Sequence, residues 1–451
     1  MSPSNLRLNL LLRLLLLALP TVLLARATDE KHTSKLKHKH SKTASPTLVY
    51  GTPESVGLLS APLLELERNI SGYLVPKNYG LYSNNQVHPL YPGATVLVGH
   101  QNTIVSHFAV GYTREYEDVN GTELPVEEWI KTEKDTIYDM ASLTKMFTTI
   151  AAMQQLDAGG IKLDATVATY LPDFAGNGKE DVTILQLLTH TSGFDADPVP
   201  GLWIGWPTYE ERKKAIIATE LINVPGTKYK YSDLNYMALQ FVLEEVTALP
   251  LDELIRDRFT APLGMNDTWY NRGNEKLDEA LLRRVAVTEY QIAALGAQEP
   301  QREQPVWGTV HDENAWSLNG VAGHAGLFST AGDLAIFCQM ILNNGTYNGV
   351  RVLQPSTVDL IFHNYNARFP GNAHGLGFEL NEYYWAGPMQ SLQTAGHTGY
   401  TGTTMAIDRP SNTFFLFLSH RVHPTRTWSN VNIVREMVGR YTALALGRQL
   451  A

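Results

Sequence analysis

The chain reads as an α/β (α+β) protein: an antiparallel sheet built from strands near both ends, flanked by helices, with a mainly helical lobe inserted between them. Three observations predict this. Gly93 to Tyr112, GATVLVGHQNTIVSHFAVGY, is two apolar, β-branched runs broken at His100 to Asn102, which is a pair of strands joined by a turn. Thr401 to His420, TGTTMAIDRPSNTFFLFLSH, gives two more strands around Asp408 to Asn412. Between these ends the chain is mostly helical pattern and loop, and a helix follows the last strands in NVNIVREMVGRYTALALG.

The chain has 451 residues, 44% hydrophobic and 18% charged, an ordinary globular balance. At that length a single core splits, so a two-lobed unit or two domains is expected. A net charge of −9 argues against nucleic acid as a partner. Cys338, the only cysteine, excludes an intrachain disulfide, and its setting in DLAIFCQMIL is that of a buried structural thiol.

Residues 1–27 carry Arg7 and Arg13, then an almost wholly apolar run from Leu14 to Ala25, and end in Ala25-Arg26-Ala27. This is the pattern of a secretory signal peptide, so a secreted, extracellular protein is expected. An uncleaved membrane anchor is the alternative, but the run is short for a span and Pro20 interrupts it. Residues 28–47 are rich in Lys, His, Ser and Thr and too poor in apolar residues to fold, which makes them a disordered basic linker. Its Lys/His run would offer a contact to a cell wall or other acidic cell surface, with a solvated tether as the simpler reading. The folded domain then spans 48–451, with the sheet lobe at about 48–155 and 325–451 and the helical lobe at about 156–324.

The stretch YDMASLTKMFTT places Ser142 three residues before Lys145. Leu143, Met146, Phe147, Ile150, Met153 and Leu156 recur at helical spacing, and Gly159-Gly160 stops the helix. Ser142 therefore sits at a helix N-terminus with Lys145 on the same face, within reach of its hydroxyl. Unpaired N–H groups at the helix start point toward the same place. A nucleophile beside its base would look like this, and so would a helix start with a solvated lysine. S-x-x-K also occurs at Ser34 to Lys37, inside the basic linker, so the pattern alone decides nothing.

Two downstream stretches decide it. YKYSDLNY holds Tyr231-Ser232-Asp233 just before another helix, and AGHTGYTGT holds His397-Thr398-Gly399 opening a strand. With Ser142-Leu143-Thr144-Lys145 they form, in order, the three-element layout of active-site serine enzymes acting on acyl-D-alanyl or β-lactam-like substrates. The chain resembles the class C β-lactamase and low-molecular-mass penicillin-binding protein superfamily over about residues 50–445. Accessory stretches agree, TILQLLTHTSGF (Thr183 to Phe194) and GVAGHAGLFSTAGDLA (Gly320 to Ala335). WGTVHDENAW (Trp307 to Trp316) looks closest to the penicillin-binding protein 4B branch.

The resemblance implies an α/β sheet with an all-helical lobe and a site at their seam. It implies that Ser142 is the acylated nucleophile, Lys145 its base or proton shuttle, and Tyr231 the group sharing the proton and serving the leaving group. The backbone N–H groups of Ser142 and Tyr400 would form the oxyanion hole, and Asp233, His397, Thr398 and Gly399 would complete the catalytic and substrate-binding set. The family often has Asn where this chain has Asp233, and Lys where it has His397. Asp233 loses an amide contact to substrate, or pairs with Lys145 and holds it charged. His397 lacks a fixed positive charge for a substrate carboxylate, a change that an esterase-like member tolerates.

The leading reading is a secreted serine hydrolase turning over ester, amide, D-amino-acid peptide or β-lactam substrates. The rival is a catalytically idle relative that keeps its pocket for binding or assembly, against which the retained Ser142, Lys145 and Tyr231 argue. His190 reads as a structural hydrogen-bonder. His311, Asp312 and His324 lack the spacing of metal-ligand helices, so neither a metal nor another cofactor is expected. Trp203 and Trp206 form an aromatic wall over the site or pack their loop. Asn69, Asn120, Asn266 and Asn344 are glycosylation tripeptides that matter only in a eukaryotic host.

Overall fold

The computed structural model describes residues 47–291, 300 and 302–449. The expected signal peptide and, apart from Thr47, the basic linker lie outside the described residues. Among the described residues no helix is long and apolar enough to cross a membrane.

The strands of the main sheet are β1 (Val49–Tyr50), β2 (Gly93–His100), β3 (Thr103–Arg114), β4 (Ile130–Lys131), β5 (Glu379–Leu380), β6 (Thr394–Thr398), β7 (Thr404–Asp408) and β8 (Thr413–Ser419). They form one sheet in the order β1-β3-β2-β8-β7-β6-β5, with β4 pairing β3. All pairings are antiparallel except β1 with β3. The β2–β8 pairing, with Val96 opposite Phe417 and Leu97 opposite Leu416, joins the two ends of the chain.

The hairpins follow from turn chemistry. Gln101 and Asn102 between β2 and β3 both have positive φ, 47° and 63°, as a two-residue turn that matches strand twist requires. β8 is buried along its whole length, which is why TFFLFLS reads as a continuous apolar run. Its alternation still separates two cores. Phe415 and Phe417, with Val96 and Val98, pack on helices α1 (Ser60–Gly72) and, at the other end of the chain, α5 (Asn432–Ala445). Phe414, Leu416 and Leu418, with Leu97, face a larger core that includes α2 (Thr144–Asp157), α3 (Asp233–Thr247) and α4 (Ala331–Leu342), where Cys338 is buried.

One expectation differs in detail. His397 and Thr398 are the last two residues of β6 and do not open a strand. The chain leaves the sheet there because Gly399 crosses the nucleophile turn, where a Cβ would lie 2.5 Å from Met140 O and 2.0 Å from Thr403 Oγ1.

Candidate active site

Ser142 lies in a single 3₁₀ turn, Ala141–Leu143, that leads straight into α2. Ala141 has φ 45°, a left-handed conformation an L-residue adopts at a cost. Its N–H donates to Asp139 Oδ1 at 2.8 Å, and Asp139 Oδ2 accepts from His311 N at 2.7 Å. Burial pushes the Asp139 carboxyl above its ordinary range, against these two donors.

Ser142 Oγ is held from both sides. Lys145 Nζ lies 3.0 Å away, one helical turn on, and Tyr231 OH donates to Oγ at 2.9 Å from the segment before α3. Lys145 is fully buried; it also donates to His324 O at 3.2 Å and pairs with Asp233 Oδ1 at 2.7 Å. Asp233 thus faces Lys145 as well as lining a cavity beside the nucleophile. Burial, with Asp233 adding, pushes the Tyr231 phenol well up, so it rests protonated as a donor.

His190, at φ 55°, sits under this arrangement. Its Nδ1 accepts from Ser232 N and from Asn235 Nδ2, and its ring lies 4.6 Å from that of Tyr231. His397 stands on the other side, 5.7 Å between ring centroids. Its Nδ1 donates to Thr398 O at 2.8 Å, and burial, with Lys145 adding, pulls its pKa down to about 3. The imidazole is therefore neutral and, with Nδ1–H spent on the backbone, carries its lone pair on Nε2.

Two cavities meet at Ser142, Tyr231 and Tyr400. One, of about 320 Å³, is lined by His397, Thr398 and Gly399 together with Arg421 and Arg435. The other, of about 440 Å³, is lined by Asp197, Asp233, Asp312 and Trp203. Trp206 instead packs against the main core. Among the described residues, neither Ser142 N–H nor Tyr400 N–H donates to a protein carbonyl. Asp233, Asp312 and His324 have ligand atoms within 4.8 Å of one another. Their charges are already matched internally, Asp233 by Lys145 and Asp312 by His324 Nε2 at 2.9 Å. Burial alone would lower the His324 pKa, but Asp312 and Asp233 outweigh it and hold the imidazole above its ordinary value. A dication would have to displace both cations.

Sequence reasoning missed the residues behind these groups. Asp139 anchors the nucleophile turn. Glu289, with its pKa held at about 2 against the pull of burial, binds His311 at 2.8 Å and Arg426 at 2.5 Å. His311 stacks on Tyr400 at 5.9 Å, and Arg421 lies 4.6 Å over the same ring. Arg435 had a visible signal: it falls on the apolar stripe of α5, four residues after Val431 and three before Val438.

The family model described as Beta-lactamase matches residues 87–435. The chain belongs to the β-lactamase family. It is a serine hydrolase of that family, within the serine β-lactamase and penicillin-binding protein superfamily. A Salmonella agona (strain SL483) protein named D-alanyl-D-alanine carboxypeptidase is 34% identical over 406 residues, covering 84% of this chain and 87% of its own length. Solved structures of this β-lactamase-family fold superpose at low identity. A class C beta lactamase gives a TM-score of 0.61 at 15% identity, covering 87% of this chain and 98% of its own. A family VIII carboxylesterase gives 0.60 at 19%, covering 86% and 98%. A beta-lactamase/D-alanine carboxypeptidase from Yersinia pestis gives 0.60 at 20%, covering 86% and 100%. At these identities the structures support the fold alone.

Proposed function

We propose that the protein is a secreted hydrolase that works through a Ser142 acyl-enzyme on esters or amides bearing a carboxylate near the scissile bond. The observation that carries this reading is Ser142 Oγ held between Lys145 Nζ at 3.0 Å and Tyr231 OH at 2.9 Å.

The proton path follows from the contacts. Lys145 Nζ lies 3.0 Å from Ser142 Oγ and 2.7 Å from Asp233 Oδ1, so it bridges the nucleophile and an acceptor for its own proton. As Oγ attacks the carbonyl, Lys145 takes the Ser142 proton and passes one of its own to Asp233. Ser142 N–H and Tyr400 N–H stabilise the oxyanion, and Tyr231 delivers its proton to the leaving group. Water releases the acyl group by the reverse route. In this scheme Asp233 is a proton partner of Lys145 and not principally a substrate contact.

His397 cannot supply a positive charge at neutral pH, but the cavity it lines has another. Arg421 bonds to the carbonyls of Tyr400, Arg426 and Ser429, and among the described residues no carboxylate pairs with it. It leaves the cavity net positive where a leaving-group carboxylate would lie. The name carboxypeptidase carried by the Salmonella relative fits a substrate of that kind.

A fluorophosphonate or labelled-penicillin probe followed by peptide mapping tests the assignment: the adduct should fall on Ser142 and vanish in Ser142→Ala. An adduct on Ser192 or Ser232 would sink it. Export is tested by sequencing material from the medium, which should begin near Thr28; a mature protein starting at Met1 in the cytosol would contradict it.

A further inference from the structure

The second oxyanion donor, Tyr400 N–H, belongs to the peptide linking Gly399 and Tyr400, which is trans. A trans peptide is planar with its C=O and N–H pointing in opposite directions, so whatever fixes Gly399 O also fixes the aim of Tyr400 N–H. Gly399 O accepts from Arg435 Nη2 at 2.9 Å and from Gly402 N at 3.1 Å.

Arg435 reaches this carbonyl from α5 and is only 7% exposed. Three of its four other N–H groups are also spent inside the protein. Nε goes to Thr404 Oγ1 at 2.9 Å, Nη1 to Asn432 Oδ1 at 2.8 Å, and Nη2 also to Thr403 O at 3.3 Å. Among the described residues no carboxylate forms an ion pair with it, and burial pulls its pKa down to about 10. The acid Glu379 acts on it only from beyond ion-pair distance, so the buried cation is costly to the fold and a gain elsewhere is needed to offset it. A charge-assisted bond at one end of a peptide polarises it and strengthens the N–H at the other end as a donor.

The spacing between the two oxyanion donors is set by two buried hydroxyls. Thr401 Oγ1 donates to Asp139 O at 2.8 Å and Thr403 Oγ1 to Met140 O at 3.1 Å, so the Tyr400 turn is fastened to the backbone immediately before Ser142. Arg421 Nε adds a third fixed point at Tyr400 O, 2.9 Å away.

We propose that Arg435 is a positioning residue of the oxyanion hole: it aims and polarises the Tyr400 N–H through the Gly399–Tyr400 peptide, at a spacing held by Thr401 and Thr403, and does not contact the substrate. This rests on the reading of Ser142 as the acylated nucleophile.

The test compares two esters of one acyl group, one with a neutral leaving group and one whose leaving group carries a carboxylate. Arg435→Gln should lower kcat for both by a similar factor, about 10–100-fold, with KM little changed, since part of one oxyanion donor is lost. It should weaken a boronic acid transition-state analogue by a comparable factor. A loss confined to the carboxylated ester would make Arg435 a substrate contact and overturn the proposal, as would no loss on either. Should Arg435→Gln fail to fold, Thr401→Val and Thr401→Ser carry the test. Valine should reduce kcat on both esters and serine should restore it; a fully active Thr401→Val protein would overturn the spacing role. Failure of the underlying reading shows separately, as a Ser142→Ala protein that keeps wild-type turnover.

Discussion

Lys145 is fully buried and its charge is met by Asp233, which is itself 15% exposed at the side chain. Removing one member of such a pair leaves the other uncompensated, so chemistry and stability are coupled here and have to be separated. Lys145→Ala is expected to lower kcat about 10²–10⁴-fold, the usual loss of a proton-transfer partner, and also to lower Tm. Adding Asp233→Asn to that variant should restore much of the Tm and none of the kcat. Recovery of turnover in the double variant would remove Lys145 from the proton path. His397 gives the second expectation at this scale. Burial, with Lys145 adding, holds its pKa at about 3, so it stays neutral as pH falls from 8 to 4.5. The acid limb of kcat/KM should then be unmoved in His397→Gln even if its height changes; a limb that disappeared would assign the titration to His397. Ser142, Lys145 and Tyr231 were legible in the sequence because a helix register and two short motifs place them. Asp139, Glu289 and Arg426 were not, because nothing local distinguishes a buried acid or guanidinium from a solvated one until distant segments close over it.

The elements were legible where periodicity is strong. The β2–β3 and β7–β8 hairpins and the helix α5 all follow from their apolar patterns. The end of β6 was not, because His397-Thr398-Gly399 leaves the sheet for a tertiary reason, the crossing of Gly399 over Met140. β8 is the element on which both halves of the domain depend. It pairs with β2 from the N-terminal side and β7 from the C-terminal side, and its alternate residues enter different cores. Phe417 is fully buried in the core shared with α1 and α5, where its ring lies 5.4 Å from that of Tyr91. Phe417→Ala removes that packing and leaves a void, at a cost of about 3–5 kcal/mol. Urea denaturation should show this as a lower midpoint with an unchanged slope, while Ser142 labelling by a fluorophosphonate survives at low temperature, because the opposite face of β8 is intact. A midpoint within ~0.5 kcal/mol of wild type would mean that the core refills the site.

At the scale of the whole molecule, the buried titratable groups pull the pH dependence of stability in two directions. Burial raises the pKa of Glu115 and Glu382 to about 7 and of Asp333 to about 6, so at mildly acidic pH the folded chain holds protons there that the unfolded chain does not. Buried histidines act oppositely: His374 is lowered to about 4 and His423 to about 3. The two sets oppose each other, and a difference experiment exposes one of them. His423 is fully buried, its Nδ1 donates to Thr288 O at 3.0 Å, and its ring stacks on His420 at 5.8 Å, away from the nucleophile. Burial lowers its pKa first, the Thr288 carbonyl opposes this, and Arg114 adds to the lowering. An unfolded histidine titrates near ~6.5. Because the folded value lies below that, the unfolded state binds the extra proton between about 6.5 and about 3. The stability His423 contributes is therefore complete above pH 6.5 and is lost as pH falls, by ~1.4 kcal/mol per pH unit. His423→Asn keeps a donor toward Thr288 O and cannot titrate. Unfolding free energies from urea denaturation between pH 7.5 and 4.5 should converge for wild type and variant as pH drops, the gap narrowing by about one proton's worth of slope below pH 6. Parallel curves across that range would show that His423 takes up its proton in the folded state as readily as in the unfolded one.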